Sequence, residues 1–208
     1  MHPPRTLSIN ELTSFLAAIQ ARGIAPELAA KTLLLTGLRV AEFLHLRWQD
    51  VVGLDYQPRA VLLIRKEWAK GKTERTIPLP PQLQDTYSYY LERHLDERKR
   101  YPALHWPLWP GDREVGFKLR HLQDLFRQCG RKSINRVVTP HMFRHTYASN
   151  LLALSNTAIV QQALGHKSLT STQIYLHPTE TQIAEAANKL LDRFSPEGKD
   201  HAHSPRAT

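Results

Sequence analysis

Apolar residues along the chain recur mostly at helical spacing, interrupted by one interval of strand-like segments. Ser8-Ile9-Asn10-Glu11 has the S-x-x-E form of a capping box, and Leu12, Phe15, Leu16 and Ile19 follow on one helical face. Gly23 ends that helix, and Pro26 opens a second that carries Leu28, Leu33 and Leu35 up to Gly37. Arg39 begins a short third, which packs through Val40, Phe43, Leu44 and Leu46. Ala60 to Ile64 and Arg75 to Leu79 read as two strands joined through Lys70-Gly71-Lys72-Thr73, and Val51 to Leu54 is expected to pair as a third. A long polar helix over Gln82 to Arg100 presents Tyr87, Tyr90, Leu91 and Leu95 on one side. After a Pro- and Trp-rich loop, Tyr101 to Asp112, comes a helix from Gly116 to Cys129 with Phe117, Leu119, Leu122, Leu125 and Phe126. A basic connector, Arg131 to Arg136, follows.

The densest chemistry lies between Thr139 and His177. Thr139 is a good N-cap and Pro140 suits the first helical position, so His141 and Arg144, three residues apart, point the same way. Met142, Ala148, Leu151 and Leu152 supply a buried side. A second helix, capped by Ser155 or Asn156, runs through Ile159 and Ala163 and stops at Gly165, with His166 just beyond. Ser168 to Thr172 are capping residues that put Tyr175 near the start of a further short helix. Thr179 then caps a last amphipathic helix bearing Ile183, Leu190, Leu191 and Phe194. The pattern predicts one domain over 1–194, mainly α-helical with a small three-stranded antiparallel sheet, and a disordered polar tail over 195–208.

Composition narrows the classes of function. Hydrophobic residues make up 41% and charged ones 23%, with no apolar run long enough to span a bilayer and no apolar leader in MHPPRTLS. One cysteine, Cys129, excludes an internal disulfide framework. These features predict a cytoplasmic protein with no membrane partner. The excess of 28 Lys and Arg over 19 Asp and Glu, a net +9, favours a polyanionic partner, most simply nucleic acid.

Together, the H-x-x-R of His141 and Arg144, the L-G-H of Leu164 to His166, and Tyr175 nine residues later resemble the tyrosine recombinases of the phage integrase family. Thr36-Gly37-Leu38-Arg39-Val40-Ala41-Glu42 resembles that family's other arginine motif. Lys70-Gly71-Lys72-Thr73-Glu74-Arg75, followed by Thr76-Ile77-Pro78-Leu79, resembles its lysine hairpin. Order and spacing hold over about Leu7 to Phe194. The resemblance implies the family's catalytic-domain fold and site-specific strand exchange on double-stranded DNA, at the nucleoid. It implies four protomers on two duplexes, with the helix over 179–194 as a candidate contact between them. Only Met1 to Leu7 precede the first catalytic-domain helix, so the expectation is a naturally short form, or else a fragment, lacking the separate N-terminal DNA-binding domain of most members.

Breaking a phosphodiester without a metal needs a nucleophile, charge stabilisation on the non-bridging oxygens and an acid for the leaving 5′-oxygen. Tyr175 is the expected nucleophile, storing the bond energy as a 3′-phosphotyrosyl ester, so neither metal nor nucleotide cofactor is implied. Arg39 and Arg144 suit a phosphorane clamp, because a guanidinium offers paired donors in a plane. Lys70 is the resemblance's acid for the leaving group. His141 and His166 would bond the phosphate or move the tyrosine proton, and Glu42 would orient a site cation. Lys72, Lys118, Arg120, Arg127, Arg131, Lys132 and Arg136 are candidate phosphate contacts. Plainer readings stand beside these: Arg39 and Glu42 as surface charges, Arg144 as a salt-bridge partner, His145 as a structural hydrogen-bonding residue. Three other functions compete. His141 and His145 have zinc-helix spacing, but Met142 replaces the general base. A non-catalytic helix-turn-helix regulator would leave Arg39, Lys70 and Tyr175 as coincidence. A type IB topoisomerase would use similar chemistry but reseal the same strand.

Overall fold

Eight helices and a two-stranded sheet are seen in the computed structural model, which describes residues 6–68, 74–109 and 114–165. Ser8 starts the first element as a full capping box: its hydroxyl accepts from the Glu11 N–H, and its own N–H donates to the Glu11 carboxylate at 2.9 Å. Helix α1 (Ile9–Gln20) thus forms as its sequence predicts. Helix α2 (Ile24–Thr36) begins two residues earlier than expected and places Pro26 within its first turn, where a missing N–H costs no hydrogen bond. Gly37 ends it in the left-handed conformation, φ 60°. Arg39 stands as N-cap of α3 (Val40–His45), and α4 (Trp48–Val51) is a single turn.

The sheet corrects one expectation. Strands β1 (Val61–Ile64) and β2 (Arg75–Pro78) pair antiparallel, with Leu62 opposite Ile77, but Val51 to Leu54 forms no third strand. Val51 ends α4, and Val52 makes only an isolated bridge to Pro58, since the helix on one side and a turn on the other leave no length for a ladder. A tight turn intervenes, with the Gly53 N–H donating to the Gln57 carbonyl at 2.9 Å. Leu62, Ile64 and Ile77 face the core, while Val61 and Leu63 are exposed.

Helix α5 (Pro81–Arg98) matches the polar helix of the sequence, and Tyr87 and Tyr90 pack their rings against Trp48. Helix α6 (Leu119–Ile134) starts three residues later than predicted and absorbs most of the expected basic connector, ending at Asn135 with φ 51°. Propensity explains the extension: Arg131 and Lys132 are good helix formers and suit the negative end of the dipole. Helices α7 (Pro140–Leu154) and α8 (Thr157–Leu164) follow, the latter capped by the Asn156 side chain. Thr139 holds the N-cap position of α7 but makes no side-chain cap bond.

One core joins α1 to α7 and the sheet, and α8 packs on α7 in a small second cluster of Ala148, Val160 and Leu164. Phe15, Phe126 and Phe143 meet with ring centroids 4.9 to 5.3 Å apart, tying α1, α6 and α7 together. Fully burying each ring contributes about 1.5–3 kcal/mol, more than a typical exposed ion pair. Leu7 donates from its N–H to the Thr146 hydroxyl across 139 residues, which brings the start of the chain to the middle of α7. Among the described residues no helix is long and apolar enough to cross a membrane.

Candidate active site

Two arginines from distant parts of the chain are brought to one loop. Arg144, on the second turn of α7, is 6% exposed; its Nη1 donates to the Gly37 carbonyl at 2.5 Å and its Nη2 to the Leu164 carbonyl at 2.9 Å. Arg144 therefore holds the loop that presents Arg39 and the end of α8 on either side of itself. Its reading as a salt-bridge partner does not describe these two bonds, whose acceptors are carbonyls at the ends of two helices. Such C-terminal carbonyls carry partial negative charge, which suits a buried cation.

The Gly37 position disfavours any other residue. Its φ of 60° disfavours a side chain, and a Cβ there would overlap the Tyr147 ring. Tyr147 is half-buried, and burial pushes its phenol above the ordinary value against the opposing charge of Arg144. A helix stop, a close ring contact and a carbonyl acceptor thus coincide at one glycine.

Arg39 is fixed by Glu42 from one side only. The Glu42 carboxylate accepts from the Arg39 backbone N–H at 2.9 Å and from Arg39 Nη1 at 3.1 Å. Among the described residues Nε and Nη2 of Arg39 have no partner, and the side chain is 23% exposed, so that edge remains available for an anion. Glu42 itself is 0% exposed, which overturns its plainer reading as a surface charge. It also accepts from Arg75, Nη1 to Oε1 at 2.9 Å and Nη2 to Oε2 at 2.8 Å. Burial alone would raise the Glu42 carboxyl; the bonds and charge of Arg75, then Arg39, outweigh it and hold the group below its ordinary range.

Arg75 stands at the end of the lysine-hairpin motif, which by itself assigns it no role. The signal was present in strand alternation: Arg75 shares the inward face of β2 with Ile77, and an inward arginine requires a partner.

The histidines divide. His141 is exposed on the first turn of α7, open to a ligand. His145 is half-buried, and burial, then the charges of His141 and Arg144, lower its pKa below the ordinary value. Lys70, Lys72, His166, Tyr175 and the helix over 179–194 lie outside the described residues, as does the tail over 195–208. Among the described residues no three His, Cys, Asp or Glu side chains gather as a metal site would need.

The basic residues proposed for phosphate contact sit mainly on α6. Arg120, Arg127 and Arg131 share the face opposite buried Leu122, Phe126 and Cys129, with Lys118 and Lys132 exposed nearby. Arg127 pairs with Asp124 at 2.6 Å and Arg120 approaches the same carboxylate at 3.7 Å. Arg136 is committed elsewhere, to Glu11 at 2.5 Å and the Thr6 carbonyl at 3.2 Å, where it ties the start of α1 to the approach to α7.

Residues 5–182 match the model of the phage integrase family. The chain belongs to this family. Family relatives include the tyrosine recombinase XerA of Pyrococcus furiosus, 30% identical over 187 residues, covering 89% of this chain and 62% of the relative. The tyrosine recombinase XerD of Listeria innocua is also 30% identical, over 203 residues, covering 91% of this chain and 63% of the relative. The chain thus spans less than two thirds of either family member. Among solved structures, a XerA recombinase superposes with a TM-score of 0.72 at 27% identity, over 91% of this chain and 66% of that one. A XerH site-specific recombinase bound to its difH substrate gives 0.68 at 26%, over 90% and 55%. The catalytic domain of bacteriophage HP1 integrase, 19% identical and matched over 93% of its length, shares the family fold at a TM-score of 0.58.

Proposed function

We propose that this chain is the catalytic domain of a site-specific DNA recombinase that cuts and rejoins strands through a 3′-phosphotyrosyl intermediate. The observation that carries the reading is the bond from Arg144 to the Gly37 carbonyl, which sets a second guanidinium beside the loop bearing Arg39. A surface charge serving only solubility has no reason to reach from position 144 to the loop before Arg39 through a buried hydrogen bond.

In this reaction the Tyr175 oxygen attacks phosphorus, the bond to the 5′-oxygen breaks, and that oxygen leaves as a hydroxyl after taking a proton from Lys70. Arg39 binds a non-bridging oxygen through its open edge, and Arg144 adds positive charge from beneath. His141, exposed beside Arg144, hydrogen-bonds the phosphate, and His166 helps move the tyrosine proton. A 5′-hydroxyl from a partner strand then attacks the ester, releases Tyr175 and joins the new strand, so no metal or nucleotide enters the balance. The bound state of XerH on difH, and the relatives named as recombinases, support double-stranded DNA as the substrate. Four protomers on two duplexes, contacting through the helix over 179–194 at the nucleoid in the cytoplasm, complete the proposal. The exposed cations of α6 supply salt-sensitive phosphate contacts.

The test is a nicked suicide substrate carrying candidate target sites. Wild-type protein yields a denaturant-resistant protein–DNA adduct in EDTA, and Tyr175→Phe binds the same DNA but yields none. An adduct with the Phe variant reassigns the nucleophile, and DNA binding with no adduct from wild type supports a non-catalytic regulator. Strand exchange between two labelled duplexes separates recombination from relaxation by a topoisomerase.

A further inference from the structure

Arg75 lies on β2, the strand that follows the lysine hairpin, yet its guanidinium is turned inward and its side chain is only 9% exposed. Both terminal nitrogens are committed to the two oxygens of Glu42. With Arg39 donating once to each oxygen as well, the carboxylate receives four hydrogen bonds, about as many as its lone pairs accept. The Arg75 fork fixes the plane of the carboxylate, because a bidentate pair allows little rotation. That plane in turn decides which edge of Arg39 is bound and which is left open.

Stability alone is a poor account of this arrangement. Buried ion pairs gain little over apolar packing once desolvation is counted. Arg75 Nε is buried without an acceptor among the described residues, which costs about 1–3 kcal/mol. The fold also makes room for this side chain: Gly165, with φ 62°, would place a Cβ 2.8 Å from Arg75 Cδ. Arg75 thus runs between the end of α8 and the N-terminus of α3.

We propose that Arg75 is a positioning residue for the recombination chemistry: acting through Glu42, it orients Arg39 so that the Nε–Nη2 edge of that guanidinium faces the scissile phosphate. The role rests on the proposed strand-transfer function, but the orientation of Arg39 can be read without catalysis. Among the described residues the charged groups facing Glu42 are Arg39, from the start of its own helix, and Arg75, from β2.

Side-chain 15N NMR of the full chain, with the Arg39 guanidinium signal assigned by its loss in Arg39→Lys, tests the positioning directly. In wild type the Arg39 Nε–H gives one ordered signal; in Arg75→Gln it becomes averaged and exchanges faster with water. In parallel, single-turnover adduct formation falls on the order of 100-fold in Arg75→Gln, the cost of a misplaced clamp, while the Kd for DNA moves less than about threefold. Arg75→Lys, which keeps the charge but offers no fork, recovers part of the rate, and it replaces the Gln variant if that one does not fold. Glu42→Gln combined with Arg75→Gln loses no more rate than the worse single variant, since the two act as a unit. An unchanged Arg39 signal in folded Arg75 variants overturns the proposal, as do additive losses. Absence of any adduct from wild type overturns the strand-transfer reading instead, and the NMR result still decides the role of Arg75.

Discussion

Arg144 donates to the carbonyl of Gly37 across 107 residues of sequence, so the two arginine motifs of this chain meet through the backbone of one and the side chain of the other. The second bond, to Leu164, extends the same contact to the end of α8. The two arginines therefore differ in kind: Arg144 is structural as well as cationic, whereas the Arg39 guanidinium is held by one of its nitrogens at a partly open surface.

That difference separates their variants. Arg144→Ala leaves two buried carbonyls without their guanidinium donors and is expected to lower unfolding free energy by about 3 kcal/mol. Arg39→Lys leaves Glu42 paired with Arg75 and is expected to cost less than about 1 kcal/mol. Both are expected to cut adduct formation by about 100-fold or more. Urea unfolding beside single-turnover cleavage checks the pair; equal stability losses would show that Arg144 is not the loop tie described.

Gly37 and Tyr147 form a second testable couple. Gly37→Ala is expected to destabilise by about 2 kcal/mol or more, combining a left-handed alanine with overlap on the ring. Tyr147→Ala removes the overlap but not the backbone strain. The double variant is therefore expected to be more stable than the sum of the single losses implies, by roughly 1 kcal/mol. Strict additivity in urea midpoints would show that the ring does not press on this glycine.

The direction of pH dependence follows from Glu42 and His145. The Glu42 pKa in the folded state lies below its ordinary 4.5, so its contribution is complete above that pH and is lost as pH falls through the lower folded value. The folded His145 pKa lies below its ordinary 6.5, so the unfolded chain takes up that proton first and stability falls as pH drops below 6.5. Both act in one direction. Asp50, whose carboxyl pKa is raised by burial, opposes Glu42 in acid, so the clear expectation is a rise of urea midpoints as pH increases toward and past about 6.5, which His145→Gln flattens. An unchanged upper limb in the variant would remove His145 from the account.

Much of the helical framework was legible because its signals are local. The Ser8–Glu11 box, the glycine stops at 37 and 165 and the Asn156 cap each act within one turn. The third strand is absent because Val51 to Leu54, though strand-like in residue type, is used up by the end of α4 at Val51 and the turn from Gly53 to Gln57. The basic run after Cys129 looked like a connector, yet nothing in it breaks a helix, and α6 continues to Ile134.

By itself the sequence determined most of the helices, the two paired strands, the basic balance and the motifs at Arg39, Arg144 and Tyr175, since caps, periodicity and charge are properties of neighbours along the chain. Tertiary structure decided that Glu42 is a buried anion held by two arginines, that Arg75 is the second of them, and that Arg144 bridges Gly37 and Leu164. Those facts depend on which donors meet which acceptors after burial has removed water as the competing partner, and residues 33 to 107 positions apart are joined only by the packing of the whole core.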